Sequence, residues 1–138
     1  MFSYNPEIKP MKNKKVLIID DDTVIRKLYV PFFSKKGYDV VAAEGGTQGL
    51  EILKREKIDL IILDLAMPGM TGEDVLQKML ETPEWTGIPV VIDTAVSAAS
   101  GRIEKIEKKY KNNMRICFFQ RPTSLEELNT EIGKILGL

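Results

Sequence analysis

Five short apolar segments, KVLII, YDVVAA, IDLIIL, IPVVI and MRICFF, recur along the chain, and a stretch with helical spacing separates each from the next. A strand with one wet face alternates polar and apolar residues. These runs scarcely alternate, so both faces of the sheet they form must be covered. Val-, Ile- and Leu-rich strands with a helix between each pair imply a parallel sheet, because right-handed crossovers place helices on both of its faces. The order reads βαβαβαβαβα. The helical stretches carry their own apolar stripes: Ile25, Leu28, Tyr29, Phe32 and Phe33 in the first and Leu50 and Leu53 in the second. Val75, Leu76, Met79 and Leu80 mark the third, Ile103, Ile106 and Tyr110 the fourth, and Leu125, Leu128, Ile132, Ile135 and Leu136 the fifth. Each stripe is expected to face the core. Pro31 lies inside the first, where the missing N–H predicts a kink. A chain of 138 residues fits one such domain. Met1 to Asn13, with Pro6 and Pro10 and no periodicity, are expected to form a flexible arm before a domain over 14–138.

Charge and residue usage narrow the function. Lys plus Arg equals Asp plus Glu at 20 each, so the electrostatic footprint of a nucleic-acid binder is missing and no direct nucleic-acid contact is expected. No apolar run approaches the roughly 20 residues that span a bilayer, and the N-terminus lacks the apolar core of a secretion signal. A cytoplasmic protein with no membrane partner is the expectation. The chain contains no histidine, which removes His-based acid–base catalysis, Ser-His-Asp triads and His-ligated zinc. A phosphohistidine, if one is involved, must come from a partner. The single cysteine, Cys117, lies in ICFF and is expected to be a buried small hydrophobe.

Chemistry concentrates where strands end. In VLIIDDDTVIRK, four apolar residues run into Asp20, Asp21 and Asp22. Like charges this close must be offset by a cation, by proton uptake or by helix-terminal N–H groups. Ligands of open parallel α/β sheets bind outside the carboxyl ends of the strands. Asp20 and Asp21 end the first strand, Asp64 the third and Thr94 the fourth, and Arg121 follows the fifth. Carboxylates converging with a hydroxyl and a guanidinium suit a hard cation such as Mg²⁺ together with a phosphate. Asp22 fits a helix N-cap and is given no metal role. GGTQG, from Gly45 to Gly49, lacks the P-loop lysine and reads as a turn and helix start. Pro68 and Gly69 mark a turn, and RIEKIEKKYK reads as a solvated helix face.

In this order and spacing the residues resemble the receiver domain of two-component response regulators, the chemotaxis-receiver type, from about Lys14 to the C-terminus. The resemblance rests on Asp20-Asp21 after an apolar strand, Asp64 in DLAMPGMTG, Thr94 in VVIDTA and Arg121 in FFQRPTSLEEL. It implies a flavodoxin-like, doubly wound five-stranded parallel sheet in the order 2-1-3-4-5. It also implies that Asp64 takes a phosphoryl group from a sensor histidine kinase or a histidine phosphotransfer protein. Asp21, Asp64 and the Ala66 carbonyl would hold Mg²⁺, with Asp20 helping directly or through water, while Thr94 and Arg121 bind phosphoryl oxygens. Thr94 and Phe118 would form the switch that alters a surface of the fourth helix, fifth strand and fifth helix for a downstream protein target. The sequence departs from the pattern at Arg121, where lysine is usual, at Asp93, where an apolar residue is usual, and at Asn112-Asn113, which replace a Gly-Ala turn. These departures leave open a pseudo-receiver that binds without being phosphorylated. VLIIDDDTV also matches the first motif of haloacid-dehalogenase-type phosphatases, with Asp20 as nucleophile and Asp22 as acid/base.

Overall fold

The strands of this protein, described for residues 14–138 in a computed structural model, are β1 (Lys15–Ile19), β2 (Asp39–Ala43), β3 (Leu60–Leu63), β4 (Val90–Thr94) and β5 (Ile116–Gln120). The expected arm over 1–13 lies outside the described residues. All the pairings are parallel, in the order β2-β1-β3-β4-β5. The helices between them are α1 (Thr23–Lys35), α2 (Gly46–Arg55), α3 (Gly72–Leu80), α4 (Arg102–Tyr110) and α5 (Leu125–Leu136). The expected doubly wound, flavodoxin-like order is therefore present. Short 3₁₀ turns at Pro83–Trp85 and Ala98–Ser100, which periodicity did not reveal, lead into β4 and α4.

Alternation along the strands divides the core in two. Leu17, Ile19, Ile61, Leu63, Val90 and Ile92 pack against α2, α3 and α4. Val16, Ile18, Leu60, Ile62 and Val91 pack against α1 and α5, where Tyr29, Phe33 and Tyr38 form an edge-on aromatic cluster. Side-chain caps start three of the helices. Asp22 caps α1 by accepting from the Val24 and Ile25 N–H groups, and Thr71 and Asp74 form a reciprocal capping box at α3. Ser124 caps α5, with Glu126 and Glu127 in its first turn beside the positive end of the helix dipole. Helix α1 continues through Pro31 to Lys35.

Two expectations about burial fail. Leu28 is 55% exposed, on the same flank of α1 as the exposed Val24, four residues earlier. The buried face of α1 is centred on Tyr29 and Phe33, and Leu28 falls just outside it. Cys117 is half-buried rather than enclosed, because β5 is an edge strand and its covering helix leaves part of it open. Burial still pushes its thiol up to about 11, so it remains protonated near neutrality.

Register brings the strand ends level. Ile19 pairs with Leu63, Leu63 with Ile92, and Thr94 with Gln120. The pairing continues one residue beyond the strands: the Asp20 N–H donates to the Ala43 carbonyl (3.1 Å) and the Asp64 N–H to the Ile19 carbonyl (3.1 Å). Across the other gap the Arg121 N–H donates to the Thr94 carbonyl (2.8 Å).

Candidate functional site

These backbone bonds set Asp20 and Asp64 side by side at the carboxyl edge of the sheet, 1% and 6% exposed, while Asp21 beside them faces solvent. One carboxylate oxygen from each of the three lies within 4.8 Å of the others. Asp20 accepts from the Asp22 N–H (2.9 Å) and Asp64 from the Ala66 N–H (3.4 Å), which orients both carboxylates. Gly72 permits this arrangement. A Cβ there would lie 2.5 Å from the Asp64 carbonyl oxygen and 2.8 Å from the Leu65 Cα, so the start of α3 sits directly against the chain that follows β3.

The guanidinium of Arg121 spans the site. One terminal nitrogen contacts Asp20, the other lies 3.7 Å from Asp64, and Nε donates to Asp93 at 3.1 Å. Burial alone would lower the Arg121 pKa, but the hydrogen bond to Asp20 and the charges of Asp93, Asp20 and Asp64 outweigh it and hold the group cationic. Asp20 shows the reverse balance. Burial raises its pKa more than the Arg121 and Asp22 hydrogen bonds lower it, and the Asp64 charge adds to the rise. The anionic form of Asp20 is thus under-stabilised even with an arginine beside it. A small hard cation suits this donor set of carboxylate oxygens, and Asp20, Asp21 and Asp64 are the residues that fit it.

Thr94 is fully buried, and its hydroxyl oxygen accepts from the Val96 N–H (3.2 Å). Phe118 is half-buried on the same side of the sheet as Thr94, against the α2-α3-α4 core, and Ala66 is exposed. Asp22, the acid/base of the phosphatase reading, has its side chain engaged as the α1 cap.

Several neighbours escaped sequence reasoning. Asp93 is fully buried on the α1-α5 side, where the Tyr29 hydroxyl donates to it at 2.6 Å and the Thr123 hydroxyl donates to its other oxygen. The residue itself stood out as an acidic intruder in β4, but no spacing pattern could have named partners on α1 and before α5. Arg26 donates to the Asp20 carbonyl (2.7 Å). Arg102 at the start of α4 forms a two-pronged pair with Glu73 at the start of α3, 2.7 Å at each prong, and reaches the Leu65 carbonyl at 3.3 Å. Burial alone would raise the Glu73 pKa, but this pairing brings it below the usual carboxylate value.

An edge of convergent carboxylates with a buried hydroxyl and a cation, on a sheet ordered 2-1-3-4-5, is the arrangement of a response regulator receiver domain, and the chain belongs to that family: the family model matches residues 16–130. It is 35% identical over 128 residues to the sporulation initiation phosphotransferase F of Bacillus subtilis, covering 93% of this chain and 98% of that protein. It is also 34% identical to the probable transcriptional regulator ycf27 of Porphyridium aerugineum, where the match takes in 91% of this chain but 49% of the relative. Among solved structures, the response regulator TrrA of Thermotoga maritima in complex with Mg(2+)-BeF superposes with a TM-score of 0.72 at 25% identity, covering 89% of this chain and 99% of that one. The chemotaxis protein CheY4 of Vibrio cholerae superposes with a TM-score of 0.77 at 24% identity, over 89% and 98% of the two chains, and supports the fold.

Proposed function

We propose that this receiver accepts a phosphoryl group from the phosphohistidine of a sensor kinase or phosphotransfer protein onto Asp64, in a Mg²⁺-dependent reaction that alters a protein-binding surface. The observation that carries this reading is the meeting of Asp20, Asp21 and Asp64 with Arg121 at one sheet edge. A carboxylate oxygen of Asp64 attacks phosphorus; the O–P bond forms as the donor N–P bond breaks, and the imidazole leaves with the bonding pair and takes a proton from solvent. Asp21, Asp64 and the Ala66 carbonyl would hold Mg²⁺, with Asp20 helping directly or through water, and the ion would neutralise charge on the phosphoryl oxygens. Arg121 offers its terminal nitrogens to these oxygens once Asp64 carries them, and Thr94 offers its hydroxyl. The rest is positioning by the strand ends. Among the described residues no helix is long and apolar enough to cross a membrane, in keeping with a cytoplasmic site of action.

The downstream surface in this reading is formed by α4, β5 and α5. Phosphorylated Asp64 carries about two negative charges, draws Thr94 toward it and frees space for Phe118 to turn inward. Lacking a phenolic hydroxyl, Phe118 gives up no hydrogen bond when it does so.

Incubation with a small phosphodonor and Mg²⁺, followed by mapping of the acyl phosphate, tests the assignment. Label on Asp64, abolished by Asp64→Asn and by removal of Mg²⁺, is expected. Label on Asp20 would instead support the phosphatase reading, and no label with any donor a pseudo-receiver.

The acyl phosphate should be long-lived, because Ala66 and Val96, two residues beyond Asp64 and Thr94, offer no side-chain hydrogen bond to an attacking water. Ala66→Asn combined with Val96→Glu is expected to speed its decay about tenfold, equivalent to about 1.4 kcal/mol of added transition-state stabilisation. Matching decay curves for the two proteins would remove these positions from the account.

A further inference from the structure

We propose that Asp93 is a positioning residue for Arg121: it holds the guanidinium by its Nε edge, aims the two terminal nitrogens at the carboxylate cluster, and makes the site depend on arginine in particular. The inference rests on the reading of Asp64 as phosphoacceptor, and it explains a residue that this reading leaves unused. A fully buried carboxylate in the middle of a sheet is costly unless hydrogen bonds surround it. Asp93 has donors from separate parts of the fold: the Tyr29 hydroxyl from α1, the Thr123 hydroxyl from the turn before α5, and Nε of Arg121 at the end of β5. The hydroxyls fix the carboxylate, and the carboxylate fixes the arginine.

The geometry then distributes the guanidinium. With Nε on Asp93, one terminal nitrogen contacts Asp20 and the other lies 3.7 Å from Asp64. The Tyr29 ring lies beside the same guanidinium, 6.0 Å from its central carbon. One planar side chain therefore serves a carboxylate on the α1-α5 side of the sheet and two at its edge. An ammonium has a single nitrogen and cannot serve both places. A lysine at this position would be drawn to the buried Asp93, which would otherwise lose its cation, and withdrawn from Asp64.

The test is a rescue experiment on the full chain. Arg121→Lys is expected to slow labelling of Asp64 by a small phosphodonor by about tenfold or more, the loss of a charge-assisted hydrogen bond. Adding Asp93→Val, with Tyr29→Phe to spare an orphaned hydroxyl, should return the rate to within about threefold of wild type, because the lysine no longer has a competing partner. Circular dichroism and thermal melting establish that each variant is folded. Should the combined variant not fold, Asp93→Asn in the Arg121→Lys background replaces it, with partial rescue expected. A second readout needs neither Mg²⁺ nor phosphodonor: in wild-type protein the Arg121 Nε–H should exchange with solvent far more slowly than that of the exposed Arg55, and Asp93→Val should abolish the difference. Fast Nε–H exchange in the wild type, or a folded rescue variant no faster than Arg121→Lys alone, overturns the positioning role. Wild-type protein that takes no label on Asp64 overturns the phosphoacceptor reading instead, and the exchange measurement still decides whether Asp93 tethers Arg121.

Discussion

Gly72→Ala is expected to lower the thermal midpoint by roughly 10 °C, corresponding to about 3 kcal/mol for a domain of this size, and to slow phosphoryl uptake at Asp64. The added methyl would meet the Asp64 carbonyl oxygen at 2.5 Å and the Leu65 Cα at 2.8 Å. Both are backbone atoms, so neither can rotate away as the tip of a side chain could. The Gly72 N–H also donates to the Leu65 carbonyl (3.0 Å), which pins the helix start to the same chain. Relief requires α3 to retreat or the residues after β3 to shift, and either movement disturbs the carboxylate on which the proposed chemistry depends. Thermal melts combined with a phosphodonor time course measure both effects. A variant that melts and labels like the wild type would mean that α3 slides without cost.

The second large effect is expected from Asp21→Ala, which should weaken Mg²⁺ binding at least tenfold, judged by calorimetric titration, while leaving the cation-free protein as stable as before or slightly more so. Asp21 is exposed, so its truncation removes little packing. Its carboxylate can approach those of Asp20 and Asp64 within 4.8 Å, a separation at which two unit charges repel by about 1 to 3 kcal/mol before screening by salt. The substitution thus removes a proposed cation ligand and a source of repulsion together. Mg²⁺ should raise the melting temperature of the wild type by mass action and raise that of the variant much less. Equal increments in the two proteins would take Asp21 out of the cation site.

The fold was legible because parallel strands covered on both faces leave long apolar runs, and KVLII and IDLIIL could hardly be anything else once helical stripes flanked them. Where an apolar face stops is harder to read. Leu28 carries as strong a hydrophobic signal as Tyr29, yet it lies on the flank of α1, and only the position of the helix over the sheet decides between them. The partial exposure of Cys117 has a related origin: the cover over an edge strand is a property of the whole layer. At the site, Asp20, Asp21, Asp64 and Arg121 could be gathered in advance because each follows a strand, and strand ends meet on one edge. The Asp93 network could not be. Period-two alternation puts Asp93 on the opposite side of the sheet from Thr94, and its hydroxyl partners stand 64 and 30 residues away along the chain.

The paired Arg102 and Glu73 bear on how a change at Asp64 leaves the site. Helix α4 is clamped at its first residue to the first turn of α3 and to the carbonyl immediately following Asp64. If the beginning of α4 lifts off, Arg102 must release Glu73 and the Leu65 carbonyl, stretch to follow them, or draw them along. In mechanical terms the receiver has a strap between the sheet edge that holds Asp64 and one helix of its outer surface, running outside the sheet, in parallel with the proposed path through Thr94 and Phe118.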